Sequence, residues 1–267
     1  MSLLAVDVGN AHTVLGLLDR GEVGDHWRVA SDERRTADEW AVLVRGLLSG
    51  VDVEVAGLDG VVLCSAVPTV LHEWSDMLER HLGAVAHLVV EPGVRTGLSV
   101  LTDNPREVGT DRVVNALAAS HRFGGPAVVV GLGGTATTFD VLDSLDRYVG
   151  GAIAPGLEVS SAALGHSGAQ LREVELARPR SAVARNTVEA LQSGLVLGAA
   201  AMVEGMVARM VTELGVDPGE VAVVATGHLA PVVLAECACF TDHVPHLSLE
   251  GLGLVFERQF ERHRRKR

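Results

Sequence analysis

Lysine is almost missing from this chain: Lys266 is the only one among 267 residues. This excludes a phosphate-binding loop with a Walker A lysine, Schiff-base catalysis and the strand lysine of protein kinases. If the protein handles a nucleotide triphosphate, backbone amides, hydroxyls, arginines and metal ions must bind the phosphates.

Cysteine is scarce as well, and so is positive charge. Cys64, Cys237 and Cys239 are too few and too badly spaced for a disulfide framework or a structural zinc site, which favours buried or unreactive thiols. A formal net charge of -12 argues against a nucleic-acid partner. The basic segment 263–267 is the exception, and we expect it to be the frayed, solvated end of a helix.

Long apolar runs are also lacking, because Asp7 interrupts the first hydrophobic stretch and no run reaches about eighteen residues. The sequence therefore predicts a cytoplasmic protein with neither a secretory leader nor a membrane partner. His243 and His246 are the one closely spaced histidine pair, in a predicted loop, where a metal site is the less favoured interpretation. Hydrophobic residues make up 48% of the chain, which is enough for a substantial core.

Short apolar runs alternate with amphipathic segments, which is typical of an α/β layer fold. The predicted strands are 3–8, 13–18, 23–30, 61–65 and 221–225, and the predicted helices are 36–48, 70–82, 103–121, 187–214 and 249–262. Ser248 is the predicted cap of the last helix, and Pro105 is predicted near the first position of the third. Gly150-Gly151 and Pro155-Gly156 indicate loops.

The opening of the chain is repeated. Residues 127–143 align without a gap on residues 3–19, an offset of 124 that is close to half the chain. Both segments are an apolar run, a glycine turn and a second apolar run, the pattern of a β-hairpin. The repeat predicts two related α/β halves, residues 1–122 and 123–267.

Each predicted hairpin could bind phosphate. In the first, Asp7 could hold a metal ion or its waters while the backbone around Gly9 and Asn10 turns toward an anion, although an ordinary tight turn would look the same. In the second, Gly133–Thr138 offers three hydroxyls and no carboxylate. Thr226-Gly227 follows a late strand, where a nucleoside would rest.

The segment Gly109-Thr-Asp111-Arg112 could carry the remaining chemistry. Asp111 could accept a proton from a substrate hydroxyl while Arg112 binds a carboxylate. A surface ion pair at a helix start is the alternative interpretation.

These motifs, taken in order, resemble the type III pantothenate kinase family from residue 3 to about residue 259. The matching residues are Asp7-x-Gly9-Asn10, Arg35-Thr36-x-Asp38-Glu39, Gly93-x-x-Thr96-Gly97, Asn104-Pro105-x-Glu107-Val108-Gly109-x-Asp111-Arg112, Gly134-Thr135-Ala136-Thr137-Thr138-Phe139-Asp140, Gly150-Gly151-x-Ile153-x-Pro155-Gly156, Asn186-Thr187-Val188-Glu189-Ala190, Gln192-Ser193-Gly194 and Thr226-Gly227.

The resemblance implies an actin-like ATPase (acetate and sugar kinase, Hsc70 and actin) fold of two ribonuclease-H-like halves, with the active site in the cleft between them. It implies phosphorylation of pantothenate by ATP in coenzyme A synthesis, with Mg²⁺ or another divalent metal, K⁺ or NH₄⁺, and a homodimer. Asp111 would be the catalytic base. The ATP residues would be Asp7, which also holds the divalent metal, Val8, Gly9, Asn10, Ala11, His12, Thr13, Val14 and Thr135; the pantothenate residues would be Thr102, Gly109, Thr110, Asp111, Arg112 and Thr187.

The chain also departs from the family pattern. Leu132-Gly133 stands where the family has Asp-Phe, so Leu132 occupies the place of the carboxylate that binds the monovalent cation, while the internal alignment puts Gly131 opposite Asp7. Ala11-His12, Thr102 and His228 are the other differences near the site. Two interpretations stay open: a working pantothenate kinase, or an impaired homologue with a regulatory or ligand-sensing role.

Overall fold

The computed structural model describes residues 2–167 and 174–265. Contacts divide the chain into two compact units. The first contains residues 1–98, 103–118 and 246–267, and the second contains residues 99–102 and 119–245. The closing segment of the chain thus joins the first unit, whereas the sequence prediction divided the chain once, between residues 122 and 123.

The first unit is built on a five-stranded sheet in the order β3-β2-β1-β4-β5. Its strands are β1 (Ser2–Val8), β2 (His12–Asp19), β3 (Glu22–Ala30), β4 (Gly60–Ser65) and β5 (His87–Val90). Its helices are α1 (Ala37–Ser49), α2 (Pro68–His81), the start of α3 (Thr110–Phe123) and α8 (Leu247–Arg265). The first three strands are antiparallel neighbours, and β4 and β5 continue the sheet in parallel.

The second unit has a six-stranded sheet in the order β11-β10-β7-β8-β9-β6. The strands are β6 (Ser99–Val100), β7 (Ala127–Leu132), β8 (Ala136–Leu142), β9 (Arg147–Pro155), β10 (Ala222–Thr226) and β11 (Asp242–His243). The helices are α4 (Leu157–Ser167), α5 (Thr187–Gln192), α6 (Gly198–Leu214) and α7 (Ala230–Leu234), and a π-helical turn over Ser193–Leu197 joins α5 to α6.

The two sheets share one strand plan, which confirms the predicted repeat. An antiparallel meander of three strands is followed by two parallel strands beside its first strand, in both units. The hairpin registers are also the same, since Val8 pairs with Thr13 and Leu132 pairs with Thr137 at the offset of 124 residues. This is the ribonuclease-H-like arrangement that the sequence predicted twice.

Helices cover the first sheet with two apolar clusters. On one side, Trp40 of α1 packs against Trp74 of α2 with ring centroids 4.8 Å apart, and both indoles are buried. The other cluster contains Val114 of α3 and Phe256 of α8. Thr36 begins α1 with a reciprocal capping box to Glu39. These contacts fix the strand ends that carry the candidate site.

The core of the second unit includes β7, β10 and the long helix Thr187–Leu214. Val203, Val207 and Val211 of that helix are buried against the sheet. The helix is long and apolar enough to cross a membrane by length and composition, and 39% of its most apolar window is buried. Such a signal is weak, because core helices of globular proteins pass the same test.

Three local predictions were wrong. Gly150-Gly151 and Pro155 lie within β9, because strand pairing with β8 satisfies the backbone there. Pro105 begins a short 3₁₀ turn, and α3 starts only at Thr110. Ser248 is inside the first turn of α8 rather than before it. The basic tail falls partly in α8, and its residues 266 and 267 lie outside the described residues.

Candidate active site

The turn of the first hairpin is a compact loop between β1 and β2. The Gly9 amide donates to the carbonyl of His12 at 3.1 Å, which closes the turn and leaves Asn10 and Ala11 exposed. Ser31 braces it, since its amide donates to Ala11 at 3.0 Å and its hydroxyl lies 2.8 Å from that of buried Thr13. Val8 is fully buried in the core, so only its backbone is available to a ligand.

Asp7 is the acidic group of this turn. The Cys64 thiol donates to its Oδ1 at 3.5 Å, and the Ser248 hydroxyl donates to its carboxylate. Burial, followed by the negative charge of Asp111, raises the pKa of Asp7 from 3.8 to about 6. Cys64 is itself buried, and its pKa is raised by burial and by Asp7, so it is an unreactive thiol, as predicted.

Asp111 lies in the first turn of α3, and its carboxylate is folded back over Gly109. A Cβ at residue 109 would come within 2.5 Å of Asp111 Oδ1, so any larger residue there would displace the Asp111 carboxylate. Burial raises the pKa of Asp111, while the backbone amide and the charge of Arg112 act in the opposite direction. The structure therefore brings together two half-buried carboxylates, Asp7 and Asp111, within the first unit.

The second hairpin has no acid at the matching place. In the first hairpin Asp7 pairs with Val14, and in the second hairpin Gly131 pairs with Thr138, 124 residues later in both strands. Gly131 is therefore the counterpart of Asp7. Leu132 is instead the counterpart of Val8 and is fully buried in the core of its unit. The strand register thus agrees with the internal alignment, which put Gly131 opposite Asp7, while the family pattern's placement of the cation-binding carboxylate at Leu132 stays a prediction.

Thr135 lies in the turn of this second hairpin, as predicted. The Gly156 amide donates to the Thr135 carbonyl at 3.0 Å, and the Val159 amide donates to the Gly134 carbonyl at 3.2 Å. The start of α4 therefore holds the turn. Glu158 of the same helix turn lies against Gly134, where a Cβ would overlap its Oε2 atom.

Gly227 and His228 follow β10, at the end where a nucleoside was predicted. Gly227 has a φ of +93°, and a Cβ there would approach the Leu132 carbonyl oxygen to 2.6 Å, so both its conformation and its packing require glycine. His228 Nε2 lies 3.1 Å from Glu158 Oε1. The imidazole of His228 therefore contacts a side chain of α4.

The other predicted site residues fall at the ends of elements. His12 and Val14 belong to β2, and Thr110 begins α3. Thr102 follows β6, and Thr187 is the exposed first residue of α5, behind the Asn186 cap.

Sequence reasoning missed the contacts of Asp7 with Cys64 and Ser248, the Ser31 brace and Glu158. Only Ser248 had a signal, and that signal was read as a helix cap. His246, which the sequence indicated with His243 as a less favoured metal site, packs against His26 with ring centroids 4.1 Å apart and the ring planes tilted by 47°.

Solved structures share this fold at low sequence identity. Component A of the (R)-2-hydroxyglutaryl-CoA dehydratase of Acidaminococcus fermentans aligns with a TM-score of 0.54 at 15% identity, covering 95% of this chain and 96% of that one. The ROK hexokinase of Thermus thermophilus aligns with a TM-score of 0.52 at 14% identity, covering 98% and 99%. The duplicated strand plan with its glycine turns defines the fold class that this chain shares with these structures.

Comparison with protein sequences identifies the family within this fold class. The family model for type III pantothenate kinase matches residues 3–209. A type III pantothenate kinase of a Nocardioides species is 64% identical over 258 residues, which is 97% of this chain and 99% of the relative. The one of Streptomyces griseus is 54% identical over 264 residues, with the same coverage. The chain belongs to the type III pantothenate kinase family.

Proposed function

We propose that this protein is an ATP-dependent pantothenate kinase, which transfers the γ-phosphoryl group of ATP to the pantothenate hydroxyl and forms 4'-phosphopantothenate for coenzyme A synthesis. Family membership over nearly the whole chain supports the proposal. The carrying observation is Asp111, a half-buried carboxylate that lies over Gly109 at the start of α3. The regulatory alternative gains no support, since the similar relatives bear the kinase name.

The residues of the first unit suit a general base beside a phosphate turn. Asp111 would accept the hydroxyl proton of pantothenate, and its raised pKa brings its basicity closer to neutral pH. The exposed turn at Asn10 and Ala11 would present backbone amides to phosphate oxygens. Gly109, Thr110 and Arg112 would bind pantothenate beside the base, and Arg112 would pair with its carboxylate.

The negative charge at Asp7, with that of Asp111 near it, suits a divalent metal ion. The negative charge of Asp111 raises the pKa of Asp7, and a bound Mg²⁺ would relieve that repulsion. When bound, the ion would neutralise charge on the β- and γ-phosphates. Ser248 and Cys64 would keep the Asp7 carboxylate oriented toward such an ion.

In the second unit, Thr135 would touch ATP and Thr187 would reach pantothenate. We further propose a cytoplasmic homodimer that binds neither membrane nor nucleic acid, in which a second copy covers the apolar helix Thr187–Leu214. The second turn carries no carboxylate at residue 131 or 132, so we propose that any K⁺ or NH₄⁺ requirement does not depend on an acid of this hairpin. The placement of the active site between the two halves remains a prediction.

The test is a coupled assay of ADP release with ATP, Mg²⁺ and pantothenate, run separately with potassium, ammonium and sodium salts. We expect pantothenate-dependent turnover with 4'-phosphopantothenate as the product identified by mass spectrometry. Absence of pantothenate-dependent turnover in all three salts would overturn the proposal.

A further inference from the structure

The turn of the second hairpin needs support from outside. It contains two consecutive glycines, Gly133 and Gly134, whose backbone is intrinsically free. In the first hairpin, the amide and the hydroxyl of Ser31 brace the turn and the strand after it. Pro155 stands at the corresponding place in the second unit, 124 residues later, and has neither group. A different set of contacts must therefore hold the Gly-rich turn.

Glu158 supplies one of those contacts. Its Oε2 lies against the Cα of Gly134 so closely that a side chain at 134 would displace it. The neighbouring amides of Gly156 and Val159 bind the carbonyls of Thr135 and Gly134. Two backbone hydrogen bonds thus join the turn to the helix start, and the Glu158 carboxylate packs against Gly134 beside them.

His228 holds the other oxygen of that carboxylate. Its Nε2 is 3.1 Å from Glu158 Oε1, and because an ionised carboxylate only accepts, Nε2 carries the proton. The segment of His228 is itself fixed to the end of β7, since the Leu229 amide donates to the Leu132 carbonyl at 3.1 Å and Gly227 packs on Leu132. His228 is therefore a fixed point from which Glu158 is oriented.

The pair is not a large source of stability. The side chains of His228 and Glu158 are 25% and 38% exposed, and ion pairs of this exposure contribute little to folding. Their effect is instead local, on the conformation of Gly133–Thr135. That turn includes Thr135, which we proposed to touch ATP.

We propose that Glu158 is a positioning residue for the nucleoside triphosphate, and that His228 keeps its carboxylate against Gly134. Glu158 fixes the turn in the conformation that presents Thr135 and the turn amides to phosphate. That the ligand is a nucleoside triphosphate rests on the proposed function. The contacts of Glu158 with the turn and with His228 do not depend on it. The second turn has no carboxylate at residue 131 or 132, and Glu158 brings one to it from α4.

The experiment compares Glu158→Ala, His228→Asn and the double variant with the wild type. Two quantities are measured: the Kd of a non-hydrolysable ATP analogue by calorimetry, and the KM values of ATP and pantothenate in the coupled assay. We expect both single variants to raise the Kd of the analogue and the KM of ATP about tenfold, equivalent to about 1.4 kcal/mol. The KM of pantothenate and kcat should stay within about twofold.

The double variant and the conservative variant separate positioning from general damage. Since His228 is proposed to act on the turn through Glu158, the Kd of the analogue in the double variant should be no higher than in the single variant with the higher Kd. Glu158→Gln, which keeps an acceptor oxygen, should recover most of the affinity. Glu220→Ala, at an exposed glutamate of the same unit, is the matched control and should behave as the wild type.

Unchanged analogue affinity in Glu158→Ala, additive losses in the double variant, or an equal loss in every kinetic constant would overturn the positioning role. A wild type that binds the analogue but does not phosphorylate pantothenate would overturn the proposed function alone, provided Glu158→Ala still weakens binding. A wild type that does not bind the analogue would overturn both.

Discussion

Asp7 shows how a proposed metal-binding residue can oppose the stability of its own fold. Burial and the charge of Asp111 raise its pKa from 3.8 to about 6, so the folded protein holds this proton more tightly than the unfolded chain does. The stability it contributes is therefore lost as pH rises from about 4 to about 6, and stays lost above that range. The difference of about two pKa units corresponds to about 3 kcal/mol.

Asp7→Asn should remove this pH dependence. In metal-free and nucleotide-free protein, the unfolding free energy of Asp7→Asn relative to wild type should increase by about 3 kcal/mol between about pH 4 and about pH 8. Urea denaturation across that range measures the difference. Since the second cause of the shift is the charge of Asp111, Asp111→Asn should shrink it. A constant difference at all pH values would contradict the assigned cause.

Asp111 is the residue on which chemistry depends in the proposed reaction. Asp111→Asn keeps the size of the side chain over Gly109 but cannot accept the hydroxyl proton. We expect kcat to fall about 10²- to 10⁴-fold, while the Kd of an ATP analogue changes little. The coupled assay and calorimetry give the two values. Asp25→Asn, at an exposed aspartate of β3, is the control, and equal activity of the two variants would rule out the base assignment.

At the scale of elements, the two hairpins differ in where an acid can be accommodated. Leu132 points into the core, so Leu132→Asp should cost at least about 3 kcal/mol through lost packing and a buried carboxyl. Gly131→Asp meets only the Thr138 hydroxyl, 2.5 Å from the new Cβ, which can rotate away. It should cost less than about 1.5 kcal/mol.

Urea denaturation of Gly131→Asp and Leu132→Asp tests this order directly, and a reversed order would show that the register is misread. If a carboxylate at this turn binds a monovalent cation, as the family resemblance implies, Gly131→Asp should make turnover depend on potassium. Leu132→Asp should not, because its carboxyl would be enclosed by the core.

The hairpins were predictable because their signals are local. Glycine turns between apolar runs specify a hairpin by backbone preference alone, and the offset of 124 residues was visible before the register confirmed it. The capping of α1 by Thr36 and the buried strand β4 were equally local. From these elements the sequence predicted the α/β fold class and the presence of two related halves.

The features that the sequence did not predict depend on tertiary contacts, which the periodicity of apolar residues does not show. Ser248 has the sequence context of a helix cap, yet its hydroxyl binds Asp7, which is 241 positions away in the chain. The glycines of β9 were predicted as a loop because glycine has a low strand preference. Pairing with β8 outweighs that preference in the folded protein. Glu158 had no signal at all, since its role arises only when α4 begins beside Gly134.

At the scale of the whole molecule, the long helix of the second unit predicts self-association. Its buried residues occupy one face, and a second face carries small exposed residues at helical spacing: Ala190, Gly194, Gly198, Ala201, Gly205 and Ala208. Small residues let two helices approach closely, and an apolar helix only 39% buried in its central window has apolar surface left to cover. A second copy of the chain would cover it.

Sedimentation equilibrium should therefore give twice the chain mass of 28.0 kDa. Ala201→Arg places a long charged side chain on the small-residue face and should shift the protein to monomer at micromolar concentration, because an unpaired charge would be enclosed between the helices. Val42→Arg, at a residue of α1 that is 71% exposed, is the control and should remain a dimer. A monomeric wild type would contradict the predicted self-association, and a dimeric Ala201→Arg would place the contact on another surface.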